Sequence, residues 1–199
     1  MTKIIKLIIS SSLLIGVSFV ILYILSTMYS PQADHVPLLN DQRVISPEVE
    51  NYRPIIAETA KVNGIGQYTD LIMAITMQES KGKAIDVMQA SESLGLSRNT
   101  IQSPKKSIQA GTRYFKKALV RANGDVPLAL QSYNFGLGFV DYVKSHGGKY
   151  TPELARQFSK EKAKELHWSS YGDPKYVEHV MRYYTNEKQK RELAKRNSE

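Results

Sequence analysis

The chain contains no cysteine, so disulfides, thiolate metal sites and a cysteine nucleophile are excluded throughout its 199 residues. Histidine is scarce. His35, His146, His167 and His179 are dispersed, and no His-Glu-x-x-His run sets two of them on one helical face, so neither a metal nor a cofactor is assigned. Alternating apolar and polar runs that would mark half-buried strands are missing, as are internal repeats and low-complexity tracts. Acidic charge is in the minority. With 27 Lys and Arg against 19 Asp and Glu, the formal net charge is +8. That balance favours contact with polyanions, whether nucleic acid, anionic lipid or the phosphate-rich polymers of a bacterial wall. A hydrophobic content of 42% with 23% charged residues suits one globular core plus accessory segments.

The N-terminus sets the compartment. Lys3 and Lys6 precede residues 7–29, a stretch without a charged residue that is dominated by Leu, Ile, Val, Phe and Met and is long enough to span a bilayer as a helix. Residues 1–29 therefore read as an uncleaved membrane anchor. A cleaved signal peptide is the competing reading, but its apolar region would be unusually long and no Ala-x-Ala site follows. The positive-inside rule puts Lys3 and Lys6 in the cytoplasm and the rest of the chain outside, facing the wall and away from nucleic acid. Residues 30–45, with Pro31 and Pro37, read as a tether.

Residues 46–185 read as an all-α domain. A capping residue followed by proline announces a helix four times, at Ser46-Pro47, Ser103-Pro104, Thr151-Pro152 and Asp173-Pro174. After Pro104, Ile108, Gly111, Phe115, Leu119 and Ala122 recur at helical spacing until Asn123-Gly124 stops the run. Leu71, Ile72, Met73 and Ile75 mark another helix, beginning near Thr69 and ending before Gly82. Pro54 interrupts the helical stretch between Pro47 and Val62, which predicts a kink or two shorter helices. Residues 186–199 are charged throughout and read as a solvated tail.

Glu79 lies four residues after Ile75 and seven after Ile72, on the apolar side of its helix. Desolvation there disfavours the carboxylate and raises the pKa, as a carboxylic acid needs if it is to donate a proton near neutral pH. A solvated glutamate at a fraying helix end is the alternative.

Three separated blocks, in order, resemble the lysozyme-like superfamily of goose-type lysozymes and lytic transglycosylases. Gln78-Glu79-Ser80 resembles the Glu-Ser that holds that family's catalytic acid. Met88-Gln89 resembles its Gly-Leu-Met-Gln groove segment, and Ser132-Tyr133-Asn134-Phe135-Gly136-Leu137-Gly138 its Ala-Tyr-Asn-Ala-Gly-x-Gly block. Between the last two, Gly111, Tyr114 and Phe115 follow the family's Gly-x-x-Tyr-Leu helix. The transglycosylase Ser-x-x-Gly-Ala element is missing, and the short segment from Asp86 to Ser93 stands in its place. In this respect the chain is similar to the muramidase domain of two-domain wall hydrolases encoded by conjugative elements. Their second domain, a cysteine peptidase, cannot lie within a cysteine-free sequence.

The resemblance implies glycan cleavage in peptidoglycan with Glu79 as the acid. Glycoside hydrolysis commonly adds a second carboxylate, for which Asp86 and Glu92 are candidates. Asp86 is preferred because its loop directly follows the catalytic helix, with a turn-forming role as the competitor. Ser80, Met88, Gln89, Ser91, Glu92, Tyr133 and Asn134 are the expected substrate-binding residues, with loop-tying the alternative for the amides. Trp168, in a loop-like stretch between two helices, offers a flat aromatic face for a sugar. Lys188, Lys190, Arg191, Lys195 and Arg196 of the tail are candidates for contact with anionic wall polymers. Three functions follow: a muramidase, a lytic transglycosylase that needs Glu79 alone, or a silent wall-binding module.

Overall fold

The computed structural model describes residues 45–185. The apolar stretch 7–29, most of the tether and the charged tail lie outside the described residues. Among the described residues there is no strand, no helix long and apolar enough to cross a membrane and no cluster of side chains suited to a metal ion.

Short helices α1 (Pro47–Asn51) and α2 (Arg53–Val62) are separated at Tyr52. This is the break expected at Pro54, which sits in the first turn of α2, where its missing N–H costs nothing. Helix α3 (Thr69–Ser80) follows. Seven consecutive residues, Leu71 through Met77, are buried, so α3 is enclosed on every side and forms the axis of the domain. Arg53 bolts α2 to its start through Asp70 at 2.8 Å. Its end is held by Ser46, whose hydroxyl accepts from Val49 N at 3.2 Å and donates to the Lys81 carbonyl at 2.9 Å. The chain then reverses through Lys81 and Gly82, both at positive φ. A Cβ at Gly82 would meet Val49 and Glu48 atoms at 3.0 Å, so the turn needs glycine for space as well as for conformation.

Helix α4 (Pro104–Arg121) is capped by Ser103 and buries Ile108, Phe115 and Leu119, as its spacing predicts. It packs against α2 and against α5 (Val126–Phe135). The start of α5 is capped by Asp125, which accepts from Leu128 N at 3.0 Å. Helix α6 (Gly138–Ser145) and helix α7 (Pro152–Glu165), capped by Thr151, complete the outer side. A last helical stretch, 176–185, is reached through a turn at residues 174–175, so Asp173-Pro174 marks a turn two residues ahead of the helix. There Asp173 Oδ1 accepts from Lys175 N at 2.9 Å. Ile45, expected in the tether, is 3% exposed and belongs to the core: its side chain is apolar and packs with Val49 and the α3 residues in one cluster.

Candidate active site

Glu79 occupies the last turn of α3, where the enclosed helix emerges at the floor of a groove of about 550 Å³, a volume typical of sites for small ligands. One wall comes from the loop after α3, contributing Gln89, Glu92 and Arg98, and the other from Tyr133, Asn134 and the Phe135-Gly136 turn at the end of α5. Trp168, Tyr171 and Gly172 close one end, and Tyr114 of α4 reaches in from the side. Trp168 is 60% exposed and stacks on Tyr171 with ring centroids 6.1 Å apart.

Glu79 is half-buried and lines this groove. Burial is the main cause that pushes its pKa up to about 7, and the negative charges of Asp86 and Asp173 add to it. Two contributions oppose the rise: a hydrogen bond from Tyr176 and the positive charge of Arg98. Tyr176 is 2% exposed, and its hydroxyl donates to Glu79 Oε1 at 2.5 Å. Tyr133 stacks on the Tyr176 ring at 6.3 Å and 15°, while its own hydroxyl donates to the Met88 carbonyl at 2.9 Å. Glu79 is thus an acid whose proton is retained near neutrality and whose orientation is fixed by a buried phenol.

Asp86 has a different environment from the one expected of a second catalytic carboxylate. It is 2% exposed and does not line the groove. Its two oxygens accept from Ser107 Oγ at 2.6 Å, Ser91 Oγ at 2.5 Å, Ala90 N at 2.9 Å and Ser91 N at 3.0 Å. These bonds favour the charged form strongly enough to hold its pKa below the ordinary carboxylate value despite burial. Four donors leave the carboxylate no lone pair aimed at a substrate, and they fold the loop around it.

The other expected substrate-binding residues divide in two. Gln89, Glu92, Tyr133, Asn134 and Trp168 line the groove with Glu79. Ser80, Met88 and Ser91 stand behind it: Ser80 Oγ donates to the Val87 carbonyl at 2.7 Å. Met88 is fully buried, and the Ser91 hydroxyl accepts from Ile101 N at 3.0 Å. Even within the groove the amides are partly committed. Gln89, at φ 47°, donates to the Asp86 carbonyl and to Asn99 Oδ1 at 2.9 and 3.2 Å. Asn134 Oδ1 accepts from Asp173 N at 2.6 Å, which leaves its NH₂ group and one lone pair of the oxygen for a ligand. Tyr176 and Arg98 are site residues that the sequence analysis did not single out. The signal for Tyr176 was its place just after Asp173-Pro174; nothing local marked Arg98.

The Lysozyme-like family profile matches residues 46–194, three quarters of the chain. The chain belongs to this family. It is 53% identical over 139 residues to the bifunctional muramidase/DL-endopeptidase CwlT of Bacillus subtilis, covering 70% of this chain and 42% of that protein. It is 38% identical over 130 residues to a Bacillus subtilis protein named uncharacterized membrane protein YocA, covering 64% of this chain and 58% of the other. A crystal structure from Staphylococcus aureus, described as similar to lipoprotein of the NLP/P60 family, superposes with a TM-score of 0.65 at 43% identity. It covers 71% of this chain and 54% of that one. The chain therefore spans about half the length of the relatives it matches.

Proposed function

We propose that this protein is an N-acetylmuramidase that hydrolyses the bond between N-acetylmuramic acid and N-acetylglucosamine in peptidoglycan, with Glu79 as general acid. The carrying observation is a carboxyl with a pKa near 7, held by Tyr176 at the floor of a groove with polar and aromatic walls. Its proton passes to the bridging oxygen as the bond from that oxygen to the muramic anomeric carbon breaks. Water then adds to the anomeric carbon and its released proton restores the Glu79 acid, so the product carries a reducing muramic acid end. The 53% identity to a protein named a muramidase/DL-endopeptidase supports the muramidase half of that name.

Asp86 acts in this scheme as a positioning residue that shapes the loop bearing Gln89, Glu92 and Arg98. Glu92 is then the other carboxylate lining the groove among the described residues. The sequestration of Asp86 also favours a second reading, a lytic transglycosylase, in which the muramic acid's own hydroxyl replaces water and Glu79 suffices. Mass analysis of products from purified glycan decides between them: a reducing end supports hydrolysis, whereas a 1,6-anhydro end, lighter by one water, overturns it.

The place of action in this reading is the outer face of the cell membrane. Lys3, Lys6 and the apolar stretch 7–29 would supply the anchor, and the name of the second relative is consistent with it. The basic tail, 186–199, would meet anionic wall polymers. Protease added to intact wall-stripped cells should remove the domain; protection would refute this placement.

A further inference from the structure

Resting on the muramidase reading, we infer that Arg98 selects muramic acid over a neutral sugar by binding a carboxylate carried on the muramyl lactyl arm. Arg98 is the only Lys or Arg among the described residues that line the groove. It sits at the rim with 73% of its side chain exposed, yet close enough for its charge to act on the Glu79 carboxyl at the floor. Its one ion-pair partner is Glu92, at 3.6 Å with 62% of that side chain exposed. Such an open pair is weak and screened, so the guanidinium exchanges partners at little cost.

The chemistry of the substrate supplies the replacement. In a muramyl glycan cut at the anomeric carbon of muramic acid, that sugar must lie against Glu79, and the lactyl arm projects from the same ring. The arm ends in a free carboxylate where the peptide has been removed, and otherwise carries a peptide with carboxylates of its own. A homopolymer of N-acetylglucosamine has neither. A planar guanidinium matches a carboxylate with two parallel hydrogen bonds, which a neutral hydroxyl cannot reproduce. Without Arg98, an anionic arm would enter a groove whose described lining holds the carboxyls of Glu79 and Glu92 and no other cationic side chain.

The loop that carries Arg98 is held at its base. Ser91, locked to Asp86, accepts from Ile101 N at 3.0 Å, and its carbonyl accepts from Leu94 N and Leu96 N at 3.0 and 3.2 Å. Gln89 reaches Asn99 Oδ1 at 3.2 Å, beside Arg98. The guanidinium is thus exposed at the tip of a side chain whose loop is tied down by hydrogen bonds.

The test uses the full-length protein and three glycans: peptide-bearing strands, peptide-free strands with free lactyl carboxylates, and peptide-free strands in which those carboxylates have been chemically reduced to alcohols. Wild type should cut at least one carboxylate-bearing glycan with a kcat/KM about tenfold above the reduced glycan, the size of one charge-assisted hydrogen bond. Arg98→Gln should erase most of that ratio through KM, and Arg98→Lys should restore part of it. High salt should shrink the wild-type ratio, because the contact is exposed. An Arg98 effect confined to peptide-free strands assigns the lactyl carboxylate, and one confined to peptide-bearing strands assigns the peptide instead. If wild type cuts all three glycans and Arg98→Gln leaves the ratio unchanged, the inference fails while the muramidase reading stands. If wild type cuts none, both fail.

Discussion

Replacing Tyr176 by Phe tests how the acid is tuned. The Tyr176 hydroxyl donates to Glu79 Oε1 at 2.5 Å, and this bond opposes the burial that raises the pKa, the balance standing at about 7. A phenol hydrogen bond favours the carboxylate over the acid, so its removal must raise the Glu79 pKa further. A hydrogen bond to a charged group contributes about 1.5 kcal/mol at the low end, and 1.36 kcal/mol corresponds to one pH unit. In the proposed role of general acid, Glu79 works protonated. The wild-type kcat/KM should therefore fall as pH rises through about 7, and in Tyr176→Phe that falling limb should move upward by about one unit. At pH 6, where both forms are mostly protonated, the variant should lose activity only to the extent that the carboxyl is less well aimed. The assay is a pH series of initial rates on peptide-free glycan, with circular dichroism to confirm the fold. A limb that stays in place or moves downward would refute the assignment of that limb to Glu79.

Glu79→Gln should reduce glycan cleavage by at least ~10²-fold while the domain folds, measured by turnover and thermal melting. The same variant tests linkage. With a folded pKa of about 7 against 4.5 unfolded, wild-type stability is fully present below the unfolded value and declines as pH rises through about 7. Urea titrations should therefore show Glu79→Gln gaining up to ~3 kcal/mol on wild type at pH 8 relative to pH 4. Asp86→Asn leaves an amide facing donors and should cost about 2 kcal/mol or more of stability, with the activity loss following the loosened loop; full stability with lost turnover would return Asp86 to the chemistry. Gly111→Ala would place a Cβ 2.7 Å from Tyr133 Oη and 2.8 Å from Met88 Cβ, so a loss of about 1–3 kcal/mol is expected in thermal unfolding.

Local signals in the sequence specified three helix starts, because each cap is one hydroxyl accepting from an N–H three residues on: Ser46 to Val49, Ser103 to Lys106 and Thr151 to Leu154. Asp125 does the same for α5, but Pro127 lies one position later than in the other starts, and the pattern was not recognised. Glu79 was expected on one apolar face, and its burial has a broader cause. Helix α3 has no solvent face through its middle, and Glu79 is desolvated because the whole helix is enclosed. Asp86 shows what spacing cannot supply. Proximity to Glu79 along the chain suggested a shared chemistry, whereas the donors that occupy its oxygens include Ser107, which lies 21 residues away on α4.

The Ser132 to Gly138 block holds more than a groove wall. Gln131 Nε2 donates to the Asp173 carbonyl at 2.8 Å, Asn134 Oδ1 accepts from Asp173 N at 2.6 Å, and the Tyr171 hydroxyl donates to the Phe135 carbonyl at 2.9 Å. The end of α5 thereby grips residues 171–173, the segment that leads into the last described helix and sets Tyr176 on Glu79. Gly172 fits this grip because a Cβ there would fall 2.6 Å from Phe135 Cδ1 and 2.7 Å from Asn134 Oδ1, at a φ of +56° that disfavours side chains in any case. The proposed proton donor is consequently built from three stretches distant in sequence: α3 carries the carboxyl, the helix after Asp173 supplies the phenol, and α5 holds the segment leading into that helix. A change in the Tyr-Asn block that leaves the groove open but weakens this grip should therefore act on the pH dependence of cleavage as well as on sugar binding.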